Sequence, residues 1–348
     1  MIVQSLKYML AAVTAISLLS SCAGSSTPTT PPGFQQNQSH PGKRATSPCP
    51  CLYIANYSGP SGAPSSVTVY AEGATGDATP IQDISGSNTG LNYPNDVAVD
   101  ASGNIYVANR DGNSVTVYAA GATGNVAPIQ DISGSMTGLV HPLGLALNPL
   151  NGDIYVANEP RGAKLGGKVT IYPSGSTGNI APTGIIEGMR TAIDKPYKLT
   201  LGATGKIYVP NFNNSVTVYR AGARGDSAPI KTISGSNTGL EFPEQIALDT
   251  HGRVYVANHN NMSVTVYATL ANGNVAPIRT IRGSNTQIHN PNGIALDGSG
   301  HIYVANASFN GSVNVGSVTV YAAFANGNVA PINTLDTGLN LPEGIAIR

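Results

Sequence analysis

The sequence has no tryptophan and only three cysteines in 348 residues, and just 10% of its residues are charged. Lys and Arg number 18 against 18 Asp and Glu, so no basic excess exists to hold a nucleic acid through its phosphates. Aromatic residues make up 6%. The chain shows no Gly-x-Ser-x-Gly elbow, no Walker loop and no His-Glu-x-x-His. It is not a disordered chain either, because 41% of it is apolar and that share is evenly spread. What is abundant is Gly, at 41, and Pro, at 24. With few long charged helix formers, this composition points to many short strands joined by turns.

The N-terminus reads as an address. Lys7 precedes an apolar run over residues 8–19, which is too short to span a bilayer and suits a signal-peptide core. The run ends in Leu19-Ser20-Ser21-Cys22, which resembles the cleavage box of bacterial lipoproteins. The resemblance implies a signal peptide over 1–21 and lipidation of Cys22. It places the mature chain in the bacterial cell envelope, outside the cytoplasm and anchored to a membrane. Of the 28 residues 23–50, 21 are Ser, Thr, Pro, Gly, Gln or Asn, and none is Val, Ile or Leu. Residues 22–51 are therefore expected to form a disordered tether reaching about 30 Å. Cys49 and Cys51 are too close for an unstrained disulfide and lack partners for a metal site.

From residue 52 the chain repeats itself. IYVAN-type strings end at Asn56, Asn109, Asn158, Asn211, Asn258 and Asn306, at spacings of 53, 49, 53, 47 and 48 residues. Each period carries four apolar runs bounded by Gly, Asn, Pro or Ser, as at 105–109, 114–118, 128–132 and 143–147. Four short strands per unit and six units predict an all-β, six-bladed propeller over 52–348. The last run, residues 342–347, has the phase of an innermost strand whose other three lie within 52–84. One blade is thus expected to draw on both chain ends and to latch the ring.

Residues 291–306, PNGIALDGSGHIYVAN, resemble NHL repeats, and the IYVAN–SVTVY pairs resemble YVTN-type surface propellers. The resemblance implies the fold and leaves the activity open, since such propellers host binding modules and unrelated enzymes. The recurring Asn of IYVAN and Tyr of SVTVY, being required by every blade, read as structural. Each Asn is expected to bond backbone at its strand exit, and each Tyr to pack between blades.

Residues that break the repeat are the site candidates. Around the ring, the position after the Pro that opens each innermost strand holds Glu343, Asn95, Leu143, Tyr197, Glu244 and Asn292. The next position holds Gly344, Asp96, Gly144, Lys198, Gln245 and Gly293. Glu244, Asn292, Glu343 and Asn95 come from consecutive blades and are all oxygen donors, a set that suits Ca²⁺ or another divalent cation. The arrangement resembles gluconolactonase-type propellers, which implies a metal held by these four residues. Across the channel, Arg161 and Lys164 with Tyr197 and Lys198 form a basic side, so the face is expected to be dipolar. Asp96, His141, His259 and Phe309 complete the candidate ligand face. A metal-using histidine is implied by a weaker resemblance to streptogramin lyases.

The sequence thus predicts a monomeric, envelope-anchored propeller that binds a protein, peptide or glycan without catalysis. The alternative is a metal-dependent hydrolase or lyase. No nucleic-acid partner is expected.

Overall fold

A computed structural model describes residues 51–57, 64–160, 166–309, 314–336 and 338–348. The signal peptide, residues 22–50 of the tether with Cys22 and Cys49, and Arg161 and Lys164 lie outside the described residues. Cys51, expected to end the tether, is instead the buried first residue of a strand, paired on both sides. Of Phe309 only the backbone is described.

The twenty-four strands form six four-stranded antiparallel sheets, one per blade. Blade 1 contains β1 (Cys51–Asn56), β2 (Ser66–Ala71) and β3 (Gln82–Ser85). Blade 2 contains β4 (Pro94–Val99), β5 (Ile105–Asn109), β6 (Ser114–Tyr118) and β7 (Gln130–Ile132), and blade 3 contains β8 (Pro142–Leu147), β9 (Ile154–Asn158), β10 (Lys168–Tyr172) and β11 (Gly184–Ile186). Blade 4 contains β12 (Thr200–Leu201), β13 (Ile207–Asn211), β14 (Ser215–Tyr219) and β15 (Lys231–Ser234), and blade 5 contains β16 (Pro243–Leu248), β17 (Val254–Asn258), β18 (Ser263–Tyr267) and β19 (Arg279–Ile281). Blade 6 contains β20 (Pro291–Leu296), β21 (Ile302–Phe309), β22 (Asn314–Tyr321) and β23 (Asn333–Leu335). The last strand, β24 (Pro342–Ile347), returns to blade 1, whose order is β24-β1-β2-β3. The six-bladed propeller with its two-ended latch is therefore as the repeat phase predicts. Val- and Ile-rich runs fill β5, β6 and their equivalents, and β5 and β6 are buried along their whole length.

The core lies in the seams between blades. In the first seam, Val67, Val69 and Ile84 of blade 1 pack with Val97, Ile105 and Tyr118 of blade 2. Each Tyr of the third strand crosses its seam. Tyr118, Tyr172, Tyr219 and Tyr267 donate their hydroxyls to the carbonyls of Thr89, Thr137, Thr191 and Thr238, at 2.5–2.6 Å. Tyr321 does the same to Thr286. Burial pushes these five phenols up to about 12. Short parallel bridges such as Ile84↔Gly124 tie neighbouring blades at their outer edges, and Gly76↔Leu335 continues the series across the latch.

The Asn that ends each second strand does more than cap it. Asn109 donates from Nδ2 to the Thr116 hydroxyl on the next strand at 2.9 Å and to the Val107 carbonyl at 3.4 Å. Its Oδ1 accepts the Asn92 N–H, in the connection entering the blade, at 3.2 Å. Asn158, Asn211, Asn258 and Asn306 repeat all three bonds, as does Asn56 with Thr68, Ile54 and Asn340. Each is buried, so removing the amide strands a hydroxyl, a carbonyl and an N–H away from water.

Two outcomes follow for stability. Asn258→Ala should cost roughly 3 kcal/mol in chemical denaturation, against about 1 kcal/mol for Tyr267→Phe, which strands one carbonyl only. Ending the chain before Pro342 exposes β1 as an edge, and should give an aggregating product by size-exclusion chromatography.

Candidate functional site at the channel mouth

Five innermost strands open with a Pro, and in blade 4 Pro196 bridges to Asn211 ahead of β12; each of the six Pro is preceded by a residue in the left-handed region. These six are Tyr93, His141, Lys195, Phe242, Asn290 and Leu341, with φ between 43° and 55°. Such a φ is costly for bulky side chains. It is held by hydrogen bonds at the strand entry. Phe242, for example, donates its N–H to Asn214 Oδ1 at 2.7 Å and accepts the His259 N–H at 3.0 Å. The residue following the Pro sits at a register shift in blades 1, 2, 3, 5 and 6, where the inner strand carries an extra residue. A bulge re-aims the side chain it carries. Here it turns Asn95, Glu244 and Glu343 toward the axis.

The two carboxylates meet a cation that the chain itself supplies, and Asn95 joins them through Glu343 with its own Oδ1 buried and unpartnered. Lys198, with 0% exposure, places its Nζ 3.1 Å from Glu244 Oε2 and 3.3 Å from Glu343 Oε2. Asn95 Nδ2 donates to the same Glu343 oxygen at 3.4 Å. The backbone of Lys198 is pinned too, its N–H donating to the Glu244 carbonyl at 3.0 Å. Gly144 makes this approach possible, since a Cβ there would lie 2.4 Å from Lys198 Cα. Asp96 and Gln245 complete the layer. Asp96 Oδ1 accepts from Gln245 Nε2 at 3.1 Å, Asp96 Oδ2 accepts the Leu145 N–H at 3.0 Å, and Gln245 Oε1 accepts the Ile294 N–H at 2.8 Å. Beyond this polar plug the channel continues as a cavity of about 410 Å³, walled by residues such as Val97, Leu145, Ile246 and Ile345.

The electrostatics follow from burial. Burial lowers the Lys198 pKa, but Glu244, Glu343 and Asp96 more than offset it, so the ammonium stays charged. Burial raises Glu244 against the pull of Lys198. It raises Asp96 to about 7, against Lys198 and the donors of Leu145, Val97 and Gln245. Three carboxyl groups therefore share one ammonium, and the proton on Asp96 relieves the surplus negative charge.

Lys198 is thus not on a separate basic side. Its side chain spans the channel to the acidic blades, and the expected dipolar face is replaced there by a buried ion cluster. Asn292 is turned away from the cluster, with Oδ1 2.8 Å from His259 Nδ1. Among the described residues no group of three His, Cys, Asp or Glu is placed to hold a metal ion.

Aromatic side chains frame the mouth on two sides. On one, the Tyr197 and Phe242 ring centroids lie 5.0 Å apart, Phe212 and Phe242 5.2 Å, and Phe242 and His259 5.6 Å. Lys195 Nζ lies 4.9 Å from the Phe212 ring. Tyr197 is held far from ionisation by burial and by Glu244, Glu159 and Glu343. On the other side, Tyr57 and Tyr93 meet edge to face at 4.5 Å, with the Arg110 guanidinium 5.3 and 5.7 Å from their rings. Tyr57, Tyr93, Arg110, Phe212 and Phe242 escaped the sequence reading. The six-fold position before each Pro would have exposed Tyr93 and Phe242. His141 shares that position on blade 3, and its N–H is fixed by Asn113 at 2.7 Å.

Asp96 carries a pH signature. Its folded pKa of about 7 lies above its ordinary 3.8, so the native state holds this proton more tightly than the unfolded one. Stability should therefore fall as pH rises from about 4 to 7, at up to about 1.4 kcal/mol per pH unit, and level off above 7. The urea midpoint should drop between about pH 5 and 7, and Asp96→Asn should flatten that slope. Lys198→Met, which leaves the acids without their cation, should lower stability by about 3–5 kcal/mol.

No curated protein matches the chain. An uncharacterised protein from Bacteroides caccae superposes with a TM-score of 0.61 at 11% identity, over 86% of this chain and 99% of that one. The periplasmic gluconolactonase PpgL of Pseudomonas aeruginosa gives 0.55 at 14% identity, over 86% and 98%. The WD40 propeller domain of Doa1 gives 0.53 at 12% identity, over 82% and 79%. At these identities the likeness is one of fold. The NHL repeat model matches residues 91–118, from the turn before β4 through β6, so that the chain is a six-bladed β-propeller carrying an NHL repeat in its second blade.

Proposed function

We propose that this propeller is a non-catalytic binding module, anchored in the bacterial envelope through Cys22, that takes a protein, peptide or glycan on its channel-mouth face. One observation carries the reading: the carboxylates converging from blades 1 and 5, Glu343 and Glu244, already hold the Lys198 ammonium, and Asn95 of blade 2 is engaged with Glu343. Their charge is spent on holding the channel shut. What the mouth offers a ligand is its rim. Tyr57, Tyr93 and Arg110 stand on one side, and Phe212, Phe242 and His259 on the other. Tyr, Phe and Arg are the residue types enriched where proteins hold partners, because they bury large area at low entropic cost. Glu343, with 18% of its side chain exposed, adds an acceptor at the centre.

A metal-dependent hydrolase is the second reading. It is favoured by the convergence of Glu244, Glu343 and Asn95 and by the likeness in fold to a gluconolactonase. In that case a divalent cation such as Ca²⁺ would have to share these donors with Lys198 and polarise a carbonyl.

The two readings part in one experiment. Thermal unfolding of the chain with EDTA, and then with millimolar Ca²⁺, Mg²⁺ or Zn²⁺, should give the same midpoint throughout under the binding reading. A rise with one cation that disappears in Glu343→Gln would establish the metal site by mass action. Peptide and glycan arrays should then show ligands whose capture is lost in Tyr93→Ala or Phe242→Ala.

A further inference from the structure

The charges on the rim do not balance. The residues that follow the six buried Asn are Tyr57, Arg110, Glu159, Phe212, His259 and Ala307. Backbone bonds set them beside the residues that precede the Pro. Arg110 donates its N–H to the Tyr93 carbonyl at 3.0 Å, Glu159 to that of His141 at 3.2 Å and His259 to that of Phe242 at 3.0 Å. One guanidinium and one carboxylate therefore stand in this ring, on neighbouring blades. The guanidinium is answered: Arg110 donates Nε to Asp111 Oδ1 at 2.9 Å and lies against Tyr57 and Tyr93. Lys195, the other rim cation, lies over the Phe212 ring. The carboxylate is not answered, since Glu159 makes no side-chain hydrogen bond or ion pair among the described residues.

The centre of the mouth is short of positive charge as well. Glu244 and Glu343 share the single ammonium of Lys198. Glu343, the acceptor at the centre, is only half used. It takes Lys198 and Asn95 on Oε2 alone, and with 18% of the side chain exposed its Oε1 stays open to the mouth. Asn95, 5% exposed, gives Nδ2 to Glu343 and leaves Oδ1 without a donor. Glu244, Glu159 and Glu343 all act on the phenol of Tyr197, which ties the rim carboxylate to the central pair. The Phe242 ring stands beside Tyr197, 5.0 Å away between centroids. A ligand that fits must bring positive charge, several N–H donors and a flat surface that packs on aromatic rings. An arginine side chain brings all three. Its guanidinium is planar, always charged and more weakly hydrated than an ammonium, and it presents a fork of N–H donors to carboxylates. A neutral sugar would leave the carboxylates unanswered.

Granting that the propeller is a binding module, we propose that its channel mouth receives an arginine side chain of a protein partner, with the guanidinium held by Glu159 and Glu343 and packed against Tyr197 and Phe242. Lys198 keeps its present partners, because Glu343 Oε1 is the oxygen left for the ligand.

The test is ligand-observed saturation-transfer NMR on the full chain, with the peptide acetyl-Gly-Gly-Arg-Gly-Gly-amide. The control peptide carries citrulline in place of Arg, which keeps the shape and loses the charge. The Arg peptide should bind about tenfold or more tighter than the control, with saturation strongest on the Arg methylenes. Added salt should weaken it. Glu159→Gln and Glu343→Gln should each weaken binding by about fivefold or more. Glu159→Gln should leave the thermal midpoint unchanged, because that side chain supports no other group. No binding of the Arg peptide, equal binding of the two peptides, or full affinity in both variants would overturn the assignment. Capture of neutral glycans, or of peptides without arginine, in preference to the Arg peptide would overturn it too, yet leave the mouth a binding face if that capture is lost in Tyr93→Ala or Phe242→Ala. Arrays that return no ligand of any class would remove the binding reading itself.

Discussion

A buried carboxamide, repeated six times, is the contact on which this ring depends. Each Asn at the end of a second strand joins three pieces of one blade: its own strand, the Thr of the strand beside it, and the segment arriving from the previous blade. Blades packed only through apolar seams could slide by one residue at little cost. The amide forbids this, because every slip leaves polar groups buried and unpaired. It also positions the site, since the segment it grips is the one that leads, within a few residues, to the left-handed residue and the Pro at the channel mouth.

The channel shows the same economy applied to charge. Carboxyl groups from different blades face one another across a space too narrow for bulk water to screen them. Lys198 answers most of that repulsion and the proton on Asp96 answers more. A ring built from near-copies tolerates such a cluster because its members sit on different blades and each is held by backbone that the others do not share. The ligand-facing chemistry is left to the rim, where aromatic rings and Arg110 stand on rigid strand entries.

The fold was legible in the sequence because it is periodic. The spacing of IYVAN strings gave the blade count, and the phase of residues 342–347 gave the latch. The site was legible in part for the same reason. Counting one and two residues beyond each Pro identified Asn95, Asp96, Glu244 and Glu343, and these do gather at the axis. What escaped was reach. Nothing in one dimension says that the Lys198 side chain crosses to Glu343, 145 residues away, because that depends on the width of the ring. Tyr93 and Phe242 escaped because they precede the Pro, and their exposure to the mouth comes from a backbone conformation that bulky residues seldom adopt. Asn292 occupies the expected place yet turns to His259, a choice made by side-chain neighbours.

The pairing of the two chain ends also has a mechanical meaning. Cys51 donates its N–H to the Arg348 carbonyl at 2.8 Å, and Arg348 returns the bond at 3.1 Å. Strand β1 therefore runs between β24 and β2 with partners on both sides. A force applied along the chain at residue 51 pulls parallel to β1, across hydrogen bonds that lie perpendicular to it. Both ladders bear that load in shear, all rungs at once, and cannot be peeled one rung at a time. If Cys22 anchors the chain, flow or tension on the head reaches the fold at the strand best placed to resist it.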